Sequence, residues 1–308
     1  MDKLVTIIIP IFNEDVNLER IIIEISKQDL GLPYEILFVN DGSTDCTKNT
    51  LMLLAKKYSE VNYLNFVKNF GHQMALKAGL DHAKGDVTIC MDGDMQHPPH
   101  MLPTLINKWK EGYDIVVTKR LDHESIGVFK RMSSKLFYYI MNKLSNIPIS
   151  YGEADFRLMD EKVVMVIRKI NEPDLFLRGF TRWVGFRVAE VTFTAEERFA
   201  GQSKYTFSKM FSLAINGILS FSTKPLMASI YIGLGCAFLS IIVFIYALIS
   251  YLSGNVIPGW TSTLIIITFF SGIQLLVLGV ISLYLAKLFM QVKNRPLYIM
   301  GDSNYIDE

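Results

Sequence analysis

The sequence predicts an α/β domain with a mostly parallel sheet, followed by two membrane-spanning helices. The first 120 residues alternate short β-branched runs with helical stretches, which indicates strands joined by crossover helices. Half of the 308 residues are hydrophobic and the mean hydropathy is +0.28, which together are high for a soluble enzyme. Residues 225–286 contain no Asp, Glu, Lys, Arg or His, although the average charged fraction would place about a dozen charges there.

Short apolar runs bounded by turn residues give the strand predictions. They are Val5–Ile11, Glu35–Val39, Asn62–Val67, Val87–Met91 and Ile115–Thr118. The helices predicted between them are Val16–Lys27, Thr44–Tyr58, His72–Ala83 and Pro99–Glu111. Alternation of this kind is typical of a parallel sheet with helices on both faces.

Two further stretches have apolar residues at helical spacing. Residues 125–145 carry Lys and Arg between the apolar positions, which predicts a basic helix on a membrane surface or beside an anionic site. An ordinary surface helix packed on the sheet is the alternative. Residues 207–221 have a narrow polar stripe and predict an interfacial helix that leads into the membrane.

The charge-free region contains two apolar runs, about Leu226–Leu252 and Thr263–Ala286. Each exceeds the roughly 20 residues that cross a bilayer; a buried hairpin in a soluble core is the alternative. Basic residues flank both runs, whereas the connector 253–260 has none, so we expect the connector outside and both termini in the cytoplasm. The predicted division is 1–205 catalytic, 206–224 interfacial, 225–290 transmembrane and 291–308 cytoplasmic tail.

Composition excludes some partners. The formal net charge is +1, which does not favour nucleic acid. Cys46, Cys90 and Cys236 have neither metal-ligand spacing nor the number for a disulfide framework, which fits a reducing compartment.

Acidic and polar residues follow three predicted strands, as "IPIFNE", "NDGSTD" and "MDGDMQHPP". Ligands bind beyond the carboxyl ends of strands in open parallel sheets. Asp92 and Asp94 can offer oxygen ligands to a divalent cation that neutralises a diphosphate leaving group. A surface turn would use the same residues, and His97, before two prolines, is expected to be structural. Neither a dinucleotide fingerprint nor a P-loop is present.

These motifs, with "KNFGHQMALKAGLDHAKGD", resemble those of inverting family 2 glycosyltransferases, which have the GT-A fold. Further along, "ADFRLMD", "RGFTRWVGF" and "ERFAGQSKYTFSKM" resemble the polyprenyl-phosphate hexosyltransferases. This branch, often called bactoprenol glucosyltransferases, is related to dolichol-phosphate mannose synthase. The resemblance covers nearly the whole chain and includes the two apolar spans.

The resemblance implies roles for residues at matching positions. The nucleotide would contact Pro10, Phe12, Glu14, Asp41 and Asp45, and the donor diphosphate Arg198 and Lys204. The cofactor, Mg²⁺ or Mn²⁺, would be held by Asp92, Asp94 and Gln96. The acceptor phosphate would contact Arg120, Arg131 and Lys135, and Asp94 and Asp155 would be catalytic. Phe12 stands where relatives often have Tyr, so stacking is kept but a hydroxyl is lost.

Asp155 matches the residue usually named the catalytic base. A lipid phosphate has its second ionisation near pH 6 and hardly needs deprotonation in the cytoplasm. We therefore expect Asp155 to orient either the sugar or a nearby basic residue, with Arg131 and Lys135 as candidates, rather than to accept a proton.

The implied reaction transfers a hexose from a nucleotide sugar to polyprenyl phosphate with inversion, at the cytoplasmic membrane. UDP-glucose is the first choice of donor, before UDP-N-acetylglucosamine and GDP-mannose. A separate flippase and a downstream glycosyltransferase would use the product on the cell surface, and a homo-oligomer is left open. The alternatives are an anchored enzyme with a polymer or protein acceptor, and a non-catalytic membrane scaffold.

Overall fold

The computed structural model describes residues 3–121, 152–173, 175–194, 222–253 and 259–305. They form two compact units. The first contains the sheet, its helices and the described residues after 294; the second spans the described residues from 222 to 294.

The first unit contains eight strands and six α-helices within the described residues. The strands are β1 (Val5–Ile11), β2 (Tyr34–Asn40), β3 (Val61–Phe66), β4 (Val87–Cys90), β5 (Ile115–Leu121), β6 (Glu153–Asp160), β7 (Val188–Thr194) and β8 (Met300–Ser303). The helices are α1 (Leu18–Ser26), α2 (Thr47–Lys57), α3 (His72–His82), α4 (Leu102–Lys110), α5 (Glu161–Arg168) and α6 (Leu177–Trp183).

The strands form one sheet in the order β7-β5-β6-β4-β1-β2-β3-β8. β1 pairs in parallel with β2 and β4, and β2 with β3. β6 is antiparallel to both β4 and β5, so these two point the same way as β1. All seven residues of β1 are buried, as expected for a strand covered on both faces by helices. The carboxyl ends of β1 to β5 therefore share one edge, here called the ligand edge.

The five predicted strands and four predicted helices are confirmed, with ends that differ by a few residues. α4 begins after a 3₁₀ turn at Pro99–Met101 rather than at Pro99 itself. The sequence analysis did not identify β6, β7 or β8. β6 contains Asp155 and Arg157 among its buried residues, so its apolar pattern is interrupted by charges that only the folded protein pairs.

The C-terminal segment joins the sheet. Residues 291–308 were predicted to be a cytoplasmic tail, and within this range β8 pairs antiparallel with β3. Tyr298 stacks on Phe66 with ring centroids 5.2 Å apart. β8 is only four residues long, and its partner lies more than 200 residues away, so no local pattern indicates the pairing.

The second unit contains the two predicted apolar helices, α7 (Lys224–Leu252) and α8 (Trp260–Val292). Both are long and apolar enough to cross a membrane, with segments at Lys224–Tyr246 and Ile265–Val292 that are almost entirely unburied. The predicted basic helix at 125–145 and interfacial helix at 207–221 lie outside the described residues.

Candidate active site

The loop after β4 presents alternate side chains at the ligand edge. Asp92, Asp94 and Gln96 are half-buried, whereas the residues between them are buried. Gly93 is needed because a Cβ there would lie 2.8 Å from Ile11 Cγ2. This alternation brings the three predicted cation ligands to the less buried side of the loop.

His97 contacts this loop from its buried side. Its Nδ1 accepts a 2.9 Å hydrogen bond from the backbone N–H of Asp92. Its ring is buried and stacks on Phe156, with centroids 5.1 Å apart. This structural role agrees with the sequence-based expectation for His97.

The loops after β1 and β2 are tied to each other. The backbone N–H of Asn13 donates to Ser43 Oγ at 2.9 Å, and Asn13 Oδ1 accepts from the backbone N–H of Thr44 at 2.9 Å. The backbone N–H of Glu14 donates to Thr47 Oγ1 at 3.0 Å. The two segments that carry the predicted nucleotide residues therefore form one surface.

The predicted nucleotide residues differ in exposure. Pro10 is buried within β1, while the Phe12 ring is exposed and the Asp45 side chain is exposed beside the start of α2. Asp45 Oδ1 accepts from the backbone N–H of Thr47 at 3.0 Å, and Glu14 Oε2 accepts from Asn17 Nδ2 at 2.6 Å. Phe12 is 39% exposed, so part of its aromatic side chain is accessible to a base that would stack on it.

Asp41 is almost fully buried and is bound by the backbone that precedes α3. Its Oδ1 accepts from the N–H of Phe70 at 2.7 Å, and its Oδ2 from that of Gly71 at 2.9 Å. Burial raises the pKa of Asp41, and the two backbone hydrogen bonds oppose this only in part. Asp41 therefore orders the start of α3 beside the predicted nucleotide loop.

Asp155 lies at the same edge because β6 starts there. The β4–β6 register places Cys90 opposite Arg157, so the chain just beyond brings Asp92 and Asp155 near each other. His72, the first residue of α3, lies between them. Its Nε2 is 3.3 Å from Asp92 Oδ1 and 3.8 Å from Asp155 Oδ2.

Two arginines hold the Asp155 carboxylate. Arg178 binds it through both oxygens, with Nε 2.9 Å from Oδ1 and Nη2 2.8 Å from Oδ2. Arg157 Nη2 donates to Oδ1 at 3.3 Å. Burial raises the pKa of Asp155, but the Arg178 charge and hydrogen bonds, with the Arg157 charge, outweigh it and hold the pKa well below its usual range.

A second charge cluster supports this arrangement. The fully buried Arg157 also donates to Thr181 Oγ1 at 2.7 Å and to the Ala154 carbonyl at 2.8 Å. On the same helix as Thr181, Arg182 Nη2 lies 3.1 Å from Glu153 Oε2. The arginines of α6 are therefore paired with the acidic residues of β6.

Sequence reasoning missed Arg178, Arg157 and His72. All three occur in quoted motifs, "RGFTRWVGF", "ADFRLMD" and "KNFGHQ", but their spacing gave no sign that they converge. Arg120 is exposed near the end of β5, at the ligand edge. Arg131, Lys135, Arg198 and Lys204 lie outside the described residues, so their roles remain predictions.

The acidic residues at the ligand edge are candidates for binding a divalent cation. Among the described residues, no three His, Cys, Asp or Glu side chains cluster as metal ligands. Mg²⁺ bound with a diphosphate often has only one or two protein carboxylates, which Asp92 and Asp94 can supply. Asp92 Oδ1 is a buried atom that accepts no hydrogen bond in the described part of the chain, as expected for an oxygen that completes its bonding with a ligand. The donor set fits a hard divalent cation.

Comparison with known proteins gives consistent matches. The sequence profile described as "Glycosyl transferase family 2" matches residues 6–168. An uncharacterized glycosyltransferase of Synechocystis sp. is 38% identical over 300 residues, which cover 96% of this chain and 94% of the relative. The bactoprenol glucosyl transferase of Shigella phage SfII is 40% identical over 303 residues, covering 97% and 98%. A prophage bactoprenol glucosyl transferase homolog of Escherichia coli is 38% identical over 96% and 98%.

Among solved structures, a mannosyltransferase from Pyrobaculum calidifontis, in complex with GDP-Man and Mn²⁺, aligns with a TM-score of 0.51. The alignment covers 71% of this chain and 64% of that chain, at 18% identity. At this identity the similarity concerns the fold alone, and it agrees with the GT-A fold predicted from the sequence.

Proposed function

The chain belongs to glycosyl transferase family 2, and from that premise we propose that it transfers glucose from UDP-glucose to a polyprenyl phosphate with inversion. The product would be a β-linked polyprenyl-phosphate glucose. Relatives named bactoprenol glucosyl transferases, similar over nearly the whole chain, support this acceptor and this sugar.

One observation carries the proposal: the donor motif and Asp155 meet at one edge of the sheet. His72 Nε2 is within 3.8 Å of carboxylate oxygens of both Asp92 and Asp155. A sugar whose diphosphate lies at Asp92 would then have its anomeric carbon near Asp155. A transferase needs this proximity because donor and acceptor must be held together for attack.

The part of the site that binds the nucleotide sugar would make the following contacts. Phe12 would stack on the base, with Pro10, Glu14, Asp41 and Asp45 shaping the pocket. Asp92, Asp94 and Gln96 would hold Mg²⁺ or Mn²⁺. When bound, the cation would neutralise the charge that develops on the diphosphate as it leaves. Arg198 and Lys204 are proposed to contact the same diphosphate.

The part of the site that binds the acceptor would position a lipid phosphate that is already ionised when it binds. A general base is most effective with a pKa near the working pH, whereas the arginines keep the pKa of Asp155 far below it. We therefore assign Asp155 to orienting Arg178 at the reacting centre. This revises the cations proposed from sequence, Arg131 and Lys135, which together with Arg120 remain proposed contacts of the acceptor phosphate.

The chain's connectivity supports the proposed membrane placement. β7 precedes the α7–α8 pair and β8 follows it, and both strands belong to one sheet. Two crossings would return the chain to the side from which it left. The basic flanks favour the cytoplasm for the catalytic domain, where nucleotide sugars are made available, and the connector outside.

Topology can be tested by cysteine labelling in a background without Cys46, Cys90 and Cys236. A cysteine at Asn255 should react with an impermeant reagent in intact cells, whereas one at the exposed Ser59 should react only after permeabilisation. The reverse pattern would invert the topology and separate the enzyme from cytosolic donors.

The reaction can be tested with radiolabelled UDP-glucose, UDP-N-acetylglucosamine and GDP-mannose on purified membranes given polyprenyl phosphate. We expect label from UDP-glucose in an organic-soluble, mild-acid-labile product. Label in polymer or protein would favour the anchored-enzyme alternative, and no label at all would favour a scaffold. Asp94→Asn and excess EDTA should each abolish nearly all transfer, because either removes the cation; full activity in EDTA would contradict the cation's role.

A further inference from the structure

β8 brings an acidic side chain to the ligand edge. Asp302 Oδ1 lies 2.5 Å from Lys48 Nζ. Its Oδ2 accepts a 3.0 Å hydrogen bond from Asn65 Nδ2, near the end of β3. This contact joins the part of the chain after the second apolar helix to the central sheet.

From Asn65 the hydrogen bonds continue toward the donor loops. Asn65 Oδ1 accepts from Asn40 Nδ2 at 2.8 Å, and Asn40 Oδ1 accepts from the backbone N–H of Ser43 at 3.0 Å. Ser43 Oγ in turn accepts from the backbone N–H of Asn13 at 2.9 Å. Asn40 and Asn65 are buried, with 2% and 1% exposure, so water cannot replace these partners easily.

The hydrogen bonds from Asp302 through Asn65 and Asn40 to Ser43, here called the row, run in one direction because each amide donates on one side and accepts on the other. An ionised carboxylate only accepts, so Asp302 requires the amide nitrogen of Asn65 to point toward it. The Asn65 oxygen must then face Asn40, which leaves the Asn40 oxygen for Ser43. The charge at one end therefore sets the orientation of both buried amides.

We propose that Asp302 is a positioning residue for the donor site, acting through Asn65 and Asn40 on the loop at residues 41–45. The proposal depends on the proposed function, in which that loop contacts the nucleotide. The site would then be complete only when the segment after α8 is docked on β3.

Two other contacts hold this segment in place independently of Asp302. The Tyr298 hydroxyl donates to Asp81 Oδ2 at 3.0 Å, and the Tyr305 hydroxyl donates to Glu35. A variant at Asp302 should therefore keep β8 docked and change only the row of amides.

The test compares Asp302→Ala with two matched controls in the full-length protein in detergent. Lys48→Met removes the charge partner of Asp302 but keeps its bond to Asn65. Asn304→Ala removes another contact of this segment, the 2.7 Å bond from the backbone N–H of Tyr63, away from the row. Amide hydrogen exchange over residues 40–47 is measured without ligand, and KM and kcat with UDP-glucose.

For Asp302→Ala we expect faster exchange at 40–47 and a KM about 3- to 10-fold higher, with little change in kcat, matching the loss of about one hydrogen bond. Both controls should stay near wild type. Asn65→Leu should behave like Asp302→Ala, and the double variant should be no worse than either, because the two act through one row.

Unchanged exchange at 40–47 in Asp302→Ala would overturn the proposal, as would a KM effect equal to that of Asn304→Ala. Faster exchange with an unchanged KM would overturn its donor-site part. A wild-type protein that transfers no sugar would instead refute the proposed function, and the ligand-free exchange would still decide whether Asp302 orders the loop.

Discussion

The ligand edge has two parts, named after the proposed function: a donor half, formed by the loops after β1, β2 and β4, and an acceptor half, formed by β6 and α6. Asp41 lies in the donor half and Asp155 in the acceptor half, and they are almost equally buried, with 3% and 6% exposure. Their pKa values nevertheless move in opposite directions. Burial raises the pKa of Asp41, and the backbone N–H groups that it accepts from do not reverse this. Burial also raises that of Asp155, but Arg178 and Arg157 lower it by more. The charge of the partners, and not the depth, decides the direction.

The two halves are thus stabilised differently. The donor half is held by neutral hydrogen bonds between loops that directly follow β1 and β2. The acceptor half is held by full charges on β6 and α6, which attract strongly where water is excluded. Removing one charge of a buried pair costs more than removing one neutral hydrogen bond, so substitutions in the acceptor half should have the larger effects.

The largest effect is expected for Arg178→Met. Among the described residues, Asp155 would keep the 3.3 Å bond from Arg157 and a 3.4 Å bond from Gln73 Nε2, with His72 Nε2 at 3.8 Å. Leaving a buried charge short of its partner costs about 3–5 kcal/mol, or roughly 10 °C in Tm for a domain of this size. Thermal unfolding of the purified protein measures this.

Arg178→Lys is the matched control, since it keeps the positive charge but loses the bidentate hydrogen bonding to Asp155. Its Tm should fall between those of wild type and Arg178→Met. If Arg178→Met unfolds within about 2 °C of wild type, less than one buried hydrogen bond would have been lost, and the contrast between the halves would disappear.

A smaller but diagnostic effect is expected for Asp155→Asn. The neutral amide leaves Arg178 and Arg157 without their shared anion, and the displaced cation should lower kcat about 100-fold. The acidic limb of the rate profile should stay near pH 6, because the proposed acceptor, a lipid phosphate, sets it. Rates measured from pH 5 to 8 would show this.

The same pH–rate profile would also show whether Asp155 is a general base. If Asp155 were the base, the wild-type limb would follow its ionisation and would flatten in Asp155→Asn. Flattening would therefore refute the positioning role. The geometry argues against it, since a carboxylate that already accepts from two arginines holds a proton poorly.

The two halves also differ in how far the sequence predicts them. In the donor half, Asp41 and Asp92 lie within two residues of a strand end, and Asp45 lies in the same loop as Asp41. Alternation and topology therefore locate all three at one edge. In the acceptor half, the Asp155–Arg178 pair depends on β6 being inserted antiparallel between β4 and β5. Neither its mixed burial pattern nor residue spacing reveals that insertion.

The docking of β8 shows the same limit. Asp302 meets Asn65 only because two strands far apart in the sequence pair at the sheet's edge. The apolar helices are the opposite case, because a charge-free run long enough to cross a bilayer is a property of the local sequence. Both helices were predicted, and three of their four ends agree to within three residues.

The smallest effect is expected for Asp41→Asn, and its size should depend on pH. Because the folded pKa of Asp41 is raised, its contribution to stability is complete below the unfolded value of about 3.9 and is lost as pH rises through the folded value. Asp155 is the reverse: its lowered pKa adds stability above about pH 4 that is lost as pH falls.

The side chain introduced by Asp41→Asn stays neutral and can still accept through one oxygen, but its NH₂ group would face the Gly71 N–H that now donates to Oδ2. This loss should cost about 1 kcal/mol at pH 3. At pH 7 the cost should be smaller, because wild type then carries a buried charge with only neutral hydrogen-bond partners. Tm values at the two pH values measure the difference. A cost that grows from pH 3 to pH 7 would mean that the charged carboxylate is stabilised at this site, and that Asp41 and Asp155 differ in degree rather than in kind.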